Sequence, residues 1–412
     1  MTRLLSRRLV PLGFMFLASG IATAVVGPFL GLFLSTAVHA NPFQVSAFLI
    51  VASLSGVGMS QFIARVSDRR PMRRMLLITA ALAGFAGTGL TSMVRDYWVL
   101  LAITMTVTAL AGSFYPQSFA YARQVLARED PRRAAMGISS LRTVFSIAWV
   151  GGPPLAAVLL DVGSFRWVYG TAAVMYLVAA LIATRWLPEA EAPAPAGQSS
   201  RDDTRPPRVM YPIIAGFVLL TTTMVLGVQA MSLYVTDDLH GSVGDTGLIL
   251  GLCAALEIPL MLGFGALSTR VPLRRLILGG GVAAVAYQTV AATAHSTGML
   301  ATAQVLNAVF IATCSGLGIS YVQDLMPAHP GRATTMFTNA FPIGNILAAP
   351  LFGLAQEFGY RLAYTMNLIL TVLGLLLLLV AKPPAEIARP RAADKAEREA
   401  EPIGPEAAAE AG

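Results

Sequence analysis

In the stretch CAALEIPLML, residues 253–262, nine residues are at home in oil and the tenth is Glu257. No other charge occurs between Thr246 and Thr269. An ionised carboxylate in the middle of such a run, if the run lies in a membrane, costs about 2.5–3.5 kcal/mol. It must therefore take up a proton or find a cation. Arg142 sits inside another apolar run, with Trp149 seven residues on and thus two turns along the same helical face. A guanidinium can fork to two hydroxyls or to a carboxylate, and an indole can stack on the apolar face of a ring. Gln117, Gln229, Asn307, Asn339 and Asn345 lie at comparable depth and offer the donors and acceptors that hydroxyl recognition needs. Each group also has a structural reading: Arg142 snorkelling from a helix end, Glu257 in a static ion pair, and amides joining helices. For Glu257 the chemical reading is favoured, with the carboxylate alternating between proton and partner, because no other acid lies inside an apolar run.

Other chemistries lack their residues. The only lysines are Lys382 and Lys395, close to the end of the chain, so there is no phosphate-binding G-x-x-x-x-G-K-[ST] loop. Neither H-E-x-x-H nor G-x-S-x-G occurs, which leaves no hydrolytic machinery. His39, His240, His295 and His329 are scattered and form no metal set. The two cysteines, Cys253 and Cys314, sit in separate apolar runs and read as small core residues. No cofactor, no metal and no enzymatic activity are expected.

The elements that must hold Glu257 and Arg142 follow from composition. The 412 residues are 55% hydrophobic and 12% charged, half the charge of a soluble domain, which is about a quarter charged. Twelve apolar runs are long enough to span a bilayer: roughly 9–34, 43–64, 75–94, 97–121, 137–160, 166–186, 211–235, 246–269, 275–295, 298–322, 334–356 and 361–381. The first runs on past a possible cleavage site at 22–24 and reads as a helix rather than a leader. The expectation is an all-α membrane protein. Of the 29 Lys and Arg, 25 fall in the N-terminal segment, alternate loops and the tail, which places both termini in the cytoplasm. The net charge of +7 belongs to this basic skirt and calls for no nucleic acid. Residues 187–208, rich in Pro, Ala and charge, divide a six-helix bundle at 1–186 from a second at 209–381, and a polar tail fills 382–412.

The two bundles repeat each other. With an offset of 201, ARVSDRRPMRRML (64–76) lies over GALSTRVPLRRLI (265–277), and His39 lies over His240. With an offset of 199, Gln124, Pro131 and Arg133 match Gln323, Pro330 and Arg332. A parallel repeat of this kind places a binding site near the midplane between its halves. Asp324 reads as a structural partner for Arg270 or Arg332, mirroring Asp68 among Arg69, Arg73 and Arg74 in the first half, with Arg123 as a further partner for Asp68.

These features resemble the Major Facilitator Superfamily, from about residue 9 to 381. The loop ARVSDRRPMRR is similar to that superfamily's signature between helices two and three, with Ala64 for the leading Gly and Pro71-Met72 replacing the later Gly. The resemblance implies a gating role for Asp68 and its arginines, and a fifth and an eighth helix that face each other, bringing Arg142 within reach of Glu257. GGPP at 151–154 resembles the Gly-Pro signature on the fifth helix of many proton antiporters, where Gly152, Pro153 and Pro154 would pack closely and kink. SLRTVFSIAWVGGPPLA (140–156), ALEIPLM (255–261), LNAVFIATCSGLGISYVQDLMP (306–327) and RATTMFTN (332–339) resemble the sugar efflux transporter family. That resemblance implies proton-linked export of sugars or glycosides through the cell membrane. The expectation is a monomeric sugar/proton antiporter; a proton-linked multidrug exporter, or a non-transporting receptor on this scaffold, are the alternatives.

Overall fold

The computed structural model describes residues 2–69, 72–129, 131–189, 207–327 and 329–381. Every regular element among them is helical. Twelve are long and apolar enough to cross a membrane: α1 Leu9–Ala37, α2 Pro42–Ser67, α3 Arg73–Met93, α4 Tyr97–Leu126, α5 Ser140–Val162, α6 Phe165–Trp186, α7 Met210–Asp238, α8 Val243–Leu267, α9 Leu273–Ala292, α10 Thr297–Asp324, α11 Gly331–Phe358 and α12 Arg361–Val380. The expected spans are all present. The expected linker falls largely on 190–206 and the expected tail on 382–412, both outside the described residues.

α1 to α6 pack on one another, chiefly as α3 on α6 and α1 on α5 and α6; α7 to α12 repeat the arrangement with α9 on α12 and α7 on α11 and α12. The halves join chiefly through α5 with α8 and α2 with α11, and α1 also meets α7. With twelve alternating spans, α1 begins and α12 ends on one face, the terminal face. Here the two halves keep separate cores, one around Leu12, Phe16, Tyr121 and Ala183 and the other around Ile213, Phe217, Tyr321 and Leu378. On the far face one core runs through both halves, from Val25, Phe29 and Phe48 to Leu226, Ala230 and Phe352, beside a smaller core of the second half around Tyr234, Ile249 and Tyr364. The molecule is thus a cleft closed at the far face and open at the terminal face.

Glycines make the closure. A Cβ on Gly251 would stand 2.7 Å from the Val150 carbonyl oxygen and 2.9 Å from Pro154 Cγ, and one on Gly247 would stand 2.8 Å from Ala157 Cβ and from the Pro153 carbonyl. Within a bilayer, helices gain little from hydrophobic burial and associate by close packing, which small residues allow. The GxxxG run of α8 therefore seats on the paired prolines of α5. Gly353 of α11 lies equally tight against Ser46 and Pro42 of α2. At the open end, Gly56 and Gly58 of α2 and Gly263 and Gly265 of α8 have no such neighbour.

The repeat extends to unusual backbone. α1 and α7 both end in a π turn, Phe33–Ala37 and Tyr234–Asp238. Each is followed by a histidine in the left-handed region, His39 at φ 57° and His240 at φ 54°, where a side chain is strained. Beyond the next loop the offset changes. The buried faces of α3 and α9 match as Leu77, Ala80, Ala81, Gly84 with Ile277, Gly280, Gly281, Ala284, an offset of 200. Arg74 is therefore the structural counterpart of Arg274, and not of Arg275 as the residue types pair them. Both cap helix ends: Arg74 donates to the carbonyls of Ala183 (3.2 Å) and Thr184 at the end of α6, and Arg274 to Leu378, Leu379 and Ala381 at 3.0–3.2 Å at the end of α12. A cation there meets the negative end of the helix dipole. The same offset holds into α10, where Tyr321 and Val322 match Tyr121 and Ala122 in burial, so Gln124 corresponds to Asp324 rather than Gln323.

On the far face the matching arginines come from different places in the chain. Arg95 donates to the Thr91, Ser92 and Val94 carbonyls at the end of α3 and lies over the Phe33 ring. Arg361, from the start of α12, donates to Ala292 and Ala294 at the end of α9 and lies over Tyr234. Burial first, and then the Arg166 charge, pull the Arg95 guanidinium below its usual value.

Candidate functional site

The α5–α8 contact sets the floor of the cleft. Counting from it at about 1.5 Å per residue, Glu257 lies about 9 Å from Gly251 and Arg142 about 12 Å from Val150, both towards the terminal face. Arg142 is exposed and Glu257 half-buried. The two charges interact across the halves without forming a contact ion pair. Arg142 also acts on Tyr115 of α4. Trp149 lies at the floor itself, half-buried, with its ring 3.8 Å from where a Cβ of Gly27 in α1 would stand. Gly152 packs on Ala24 of the same helix, and α5 continues through Pro153 and Pro154. The acids Asp161, Asp237, Asp238, Asp245, Asp324 and Glu357 occupy end turns of their spans; Glu257 is the mid-helix acid among the described residues.

Beside Arg142 stands an aromatic group that the residue patterns did not single out. Tyr115 lies 4.7 Å from Phe145 and 4.9 Å from Phe119, and Phe119 lies 4.6 Å from Phe16. Phe145 is one turn from Arg142, which is the only signal the sequence offered. Gln117 is buried nearby on α4, and its Oε1 has no hydrogen-bond partner. An orphaned buried carbonyl of this kind calls for a water or a ligand.

The other amides do not form one wall. Asn307 of α10 donates to Gln304 Oε1 at 2.9 Å and to Cys253 Sγ at 3.4 Å, one turn along α8 from Glu257. Asn345 donates to the Phe341 carbonyl of its own helix at 3.1 Å. Asn339 is exposed at a break in α11. Gln229 lies on the closed side, where its backbone carbonyl approaches Gly31 of α1. Gln304 is fully buried and bonded to Tyr287 of α9, and its importance lies in that partner on another helix, which the sequence does not show.

Among the basic-side residues, Arg73 donates to the Ala120 carbonyl of α4 at 3.2 Å, and Arg74 is committed to α6. Both contacts lie within the first half. Arg123 and Arg270 are exposed, and Asp324 and Arg332 both have partners. The side chains of Asp68 and Arg69 lie outside the described residues. Among the described residues no group of three or more His, Cys, Asp or Glu could hold a metal ion.

The profile of the Major Facilitator Superfamily matches residues 12–287 and 212–408. The chain is 34% identical over 358 residues to sugar efflux transporter B of Salmonella typhimurium, covering 86% of this chain and 90% of that one. It is 34% identical over 343 residues to sugar efflux transporter A of Dickeya chrysanthemi, covering 82% and 86%. The crystal structure of the nucleoside transporter NupG shares the fold, with a TM-score of 0.76 at 12% identity over 90% of this chain and 98% of that one. A bacterial homolog of the human lysosomal transporter Spinster, inward-facing and occupied, does so with a TM-score of 0.71 at 14% identity, over 90% and 96%.

Proposed function

Because the chain belongs to the sugar efflux transporter family of the Major Facilitator Superfamily, we propose that it exports sugars or glycosides in exchange for protons. It is a secondary transporter of the cell membrane, with twelve membrane-spanning helices, and not an enzyme. Residues 1–186 and 209–381 are the two moving bodies, rocking about a site between them. A single chain contains the whole cleft, so the working unit is the monomer. With the basic face in the cytoplasm, the present conformation opens inward.

The observation that supports proton coupling is the opposition of Glu257 and Arg142 across the halves without a contact pair. A mid-membrane carboxylate left ionised and alone is untenable, so each state must give it a proton or the guanidinium. Rocking changes their separation, and with it the preferred occupant. Facing out, Glu257 takes up a proton as sugar leaves; on the inward side it releases that proton and then pairs with Arg142, so the present inward-open form, without a contact pair, is the state that still holds the proton. The Arg142 fork holds sugar hydroxyls, while Trp149 and the Tyr115 cluster meet apolar ring faces.

Uphill transport in inverted vesicles under a pH gradient is the test. Glu257→Gln, a mimic of the protonated acid, should lose accumulation while keeping exchange down a sugar gradient. Accumulation at the wild-type rate would move the coupling elsewhere. The Phe16, Tyr115, Phe119 and Phe145 cluster also suits planar amphiphiles, so cationic dyes belong in the panel. Transport of dyes without sugars would make the protein a multidrug exporter.

A further inference from the structure

Hydrogen-bond directions in the second half can be fixed from one atom. The Leu300 carbonyl can only accept. Gln304 donates to it from Nε2 at 3.3 Å, and to the Tyr287 hydroxyl at 3.3 Å. The orientation of a side-chain amide is ordinarily ambiguous, but a carbonyl partner removes the ambiguity: Gln304 must turn its NH2 towards Leu300 and its Oε1 the other way. That oxygen meets Asn307, which therefore presents its own NH2, giving one proton to Gln304 and the other to Cys253. Both protons of Asn307 are thus spent inside the protein. Its Oδ1 makes no bond within the described residues, and Asn307 is half-buried rather than sealed. Gln304, Tyr287 and Cys253 are all buried, so the layer behind Asn307 cannot turn over freely. Tyr287 interacts in turn with Tyr364, whose hydroxyl donates to the Gly227 carbonyl of α7.

We propose that Gln304 is a positioning residue that holds Asn307 as an obligate acceptor, so that the site selects a substrate hydroxyl which donates a hydrogen bond at that point. This rests on the sugar-transport reading and sharpens it, because Asn307 by itself offers either sign and would tolerate an ether or a fluorine in place of the hydroxyl. With Gln304 behind it, Asn307 rejects them. A buried site built for one hydrogen-bond sign discriminates far more strongly than one built on shape.

The test is binding of methyl β-D-glucoside and its four monodeoxyfluoro analogues to the purified full-length protein, by calorimetry. Fluorine keeps roughly the size of the hydroxyl and cannot donate. Asn307→Leu identifies the position concerned as the one whose fluorine penalty disappears. Gln304→Leu frees Asn307 to turn and should remove that same penalty, about tenfold in affinity for one lost hydrogen bond, while leaving the penalties at other positions unchanged. Gln304→Glu, which still accepts from Asn307, should restore it, and a merely structural role would not produce this pattern. Asn307→Asp presents oxygen whichever way it turns and should keep the penalty without help from Gln304, which serves if Gln304→Leu does not fold. A penalty unchanged in Gln304→Leu, lost in Asn307→Asp, or insensitive to Asn307 at every position overturns the inference while sugar binding stands. Binding of dyes and of no glycoside removes the sugar reading itself.

Discussion

The two ends of the cleft are built from the same pairs of helices and behave oppositely. At the far face α8 meets α5 through glycines, α11 meets α2 through Gly353, and one core crosses between the halves. At the terminal face the same helices run on past Gly263 and Gly58 into open space, and each half closes its own core. There the arginines tie helices within a half: Arg73 to α4, Arg74 to α6 and Arg274 to α12. On the proposed rocking, the far-face contacts join bodies that would have to separate, and shape complementarity can be broken and remade. The terminal-face contacts would hold each body together during that motion, a task suited to directed, charge-assisted bonds.

The largest effect should come from locking the far face. A Cβ at residue 353 would lie 3.2 Å from Ser46 Cβ, near the ~3.5–4.5 Å that a disulfide spans. Ser46→Cys with Gly353→Cys should abolish transport on oxidation and recover it on reduction. Transport that continues through the oxidised form would mean that this end never opens. Next comes the cleft above its floor: Arg142→Lys keeps the charge and loses the planar fork. Sugar affinity should fall by roughly tenfold or more, corresponding to ~1.5–3 kcal/mol for a hydrogen bond to a charged group; unchanged affinity by calorimetry would take Arg142 out of recognition. Smaller changes are expected at the open end. Arg74→Ala and Arg274→Ala should each cost about 1–2 kcal/mol in thermal unfolding in detergent, with Arg275→Ala close to neutral; the reverse order would restore the offset of 201. Smallest of all, His39→Gly and His240→Gly should each relieve the left-handed strain and stabilise by up to about 1 kcal/mol.

Spans, repeat and the mid-span charges were legible because each is a local property: hydropathy over a window, identity at a fixed offset, or one charge in an apolar run. Gln304 and Tyr115 were not, since their significance lies in partners on other helices. Matching residue types places the offset one residue too high, because it sets Arg73 over Arg274, while the buried faces, which decide the geometry, align Arg74 with it. Arg95 and Arg361 show the limit most clearly. They do the same work on Phe33 and Tyr234, two rings 201 residues apart, yet they enter from different loops, and no alignment would pair them. Sequence groups the amides as one set because it reveals their depth, whereas direction around a helix axis depends on neighbours.

The glycine contact between α5 and α8 also bears on insulation. A space too tight for a methyl group beside the Val150 carbonyl is too tight for a water molecule, which is of similar size. No file of water can form there, and without one there is no wire along which protons hop. The membrane in which this protein sits stores energy as a difference in ion concentration and voltage, and every open conduit discharges it. At this contact the wall between cleft and far side is a single pair of helices, and it resists current because backbone, rather than mobile side chains, fills the seam.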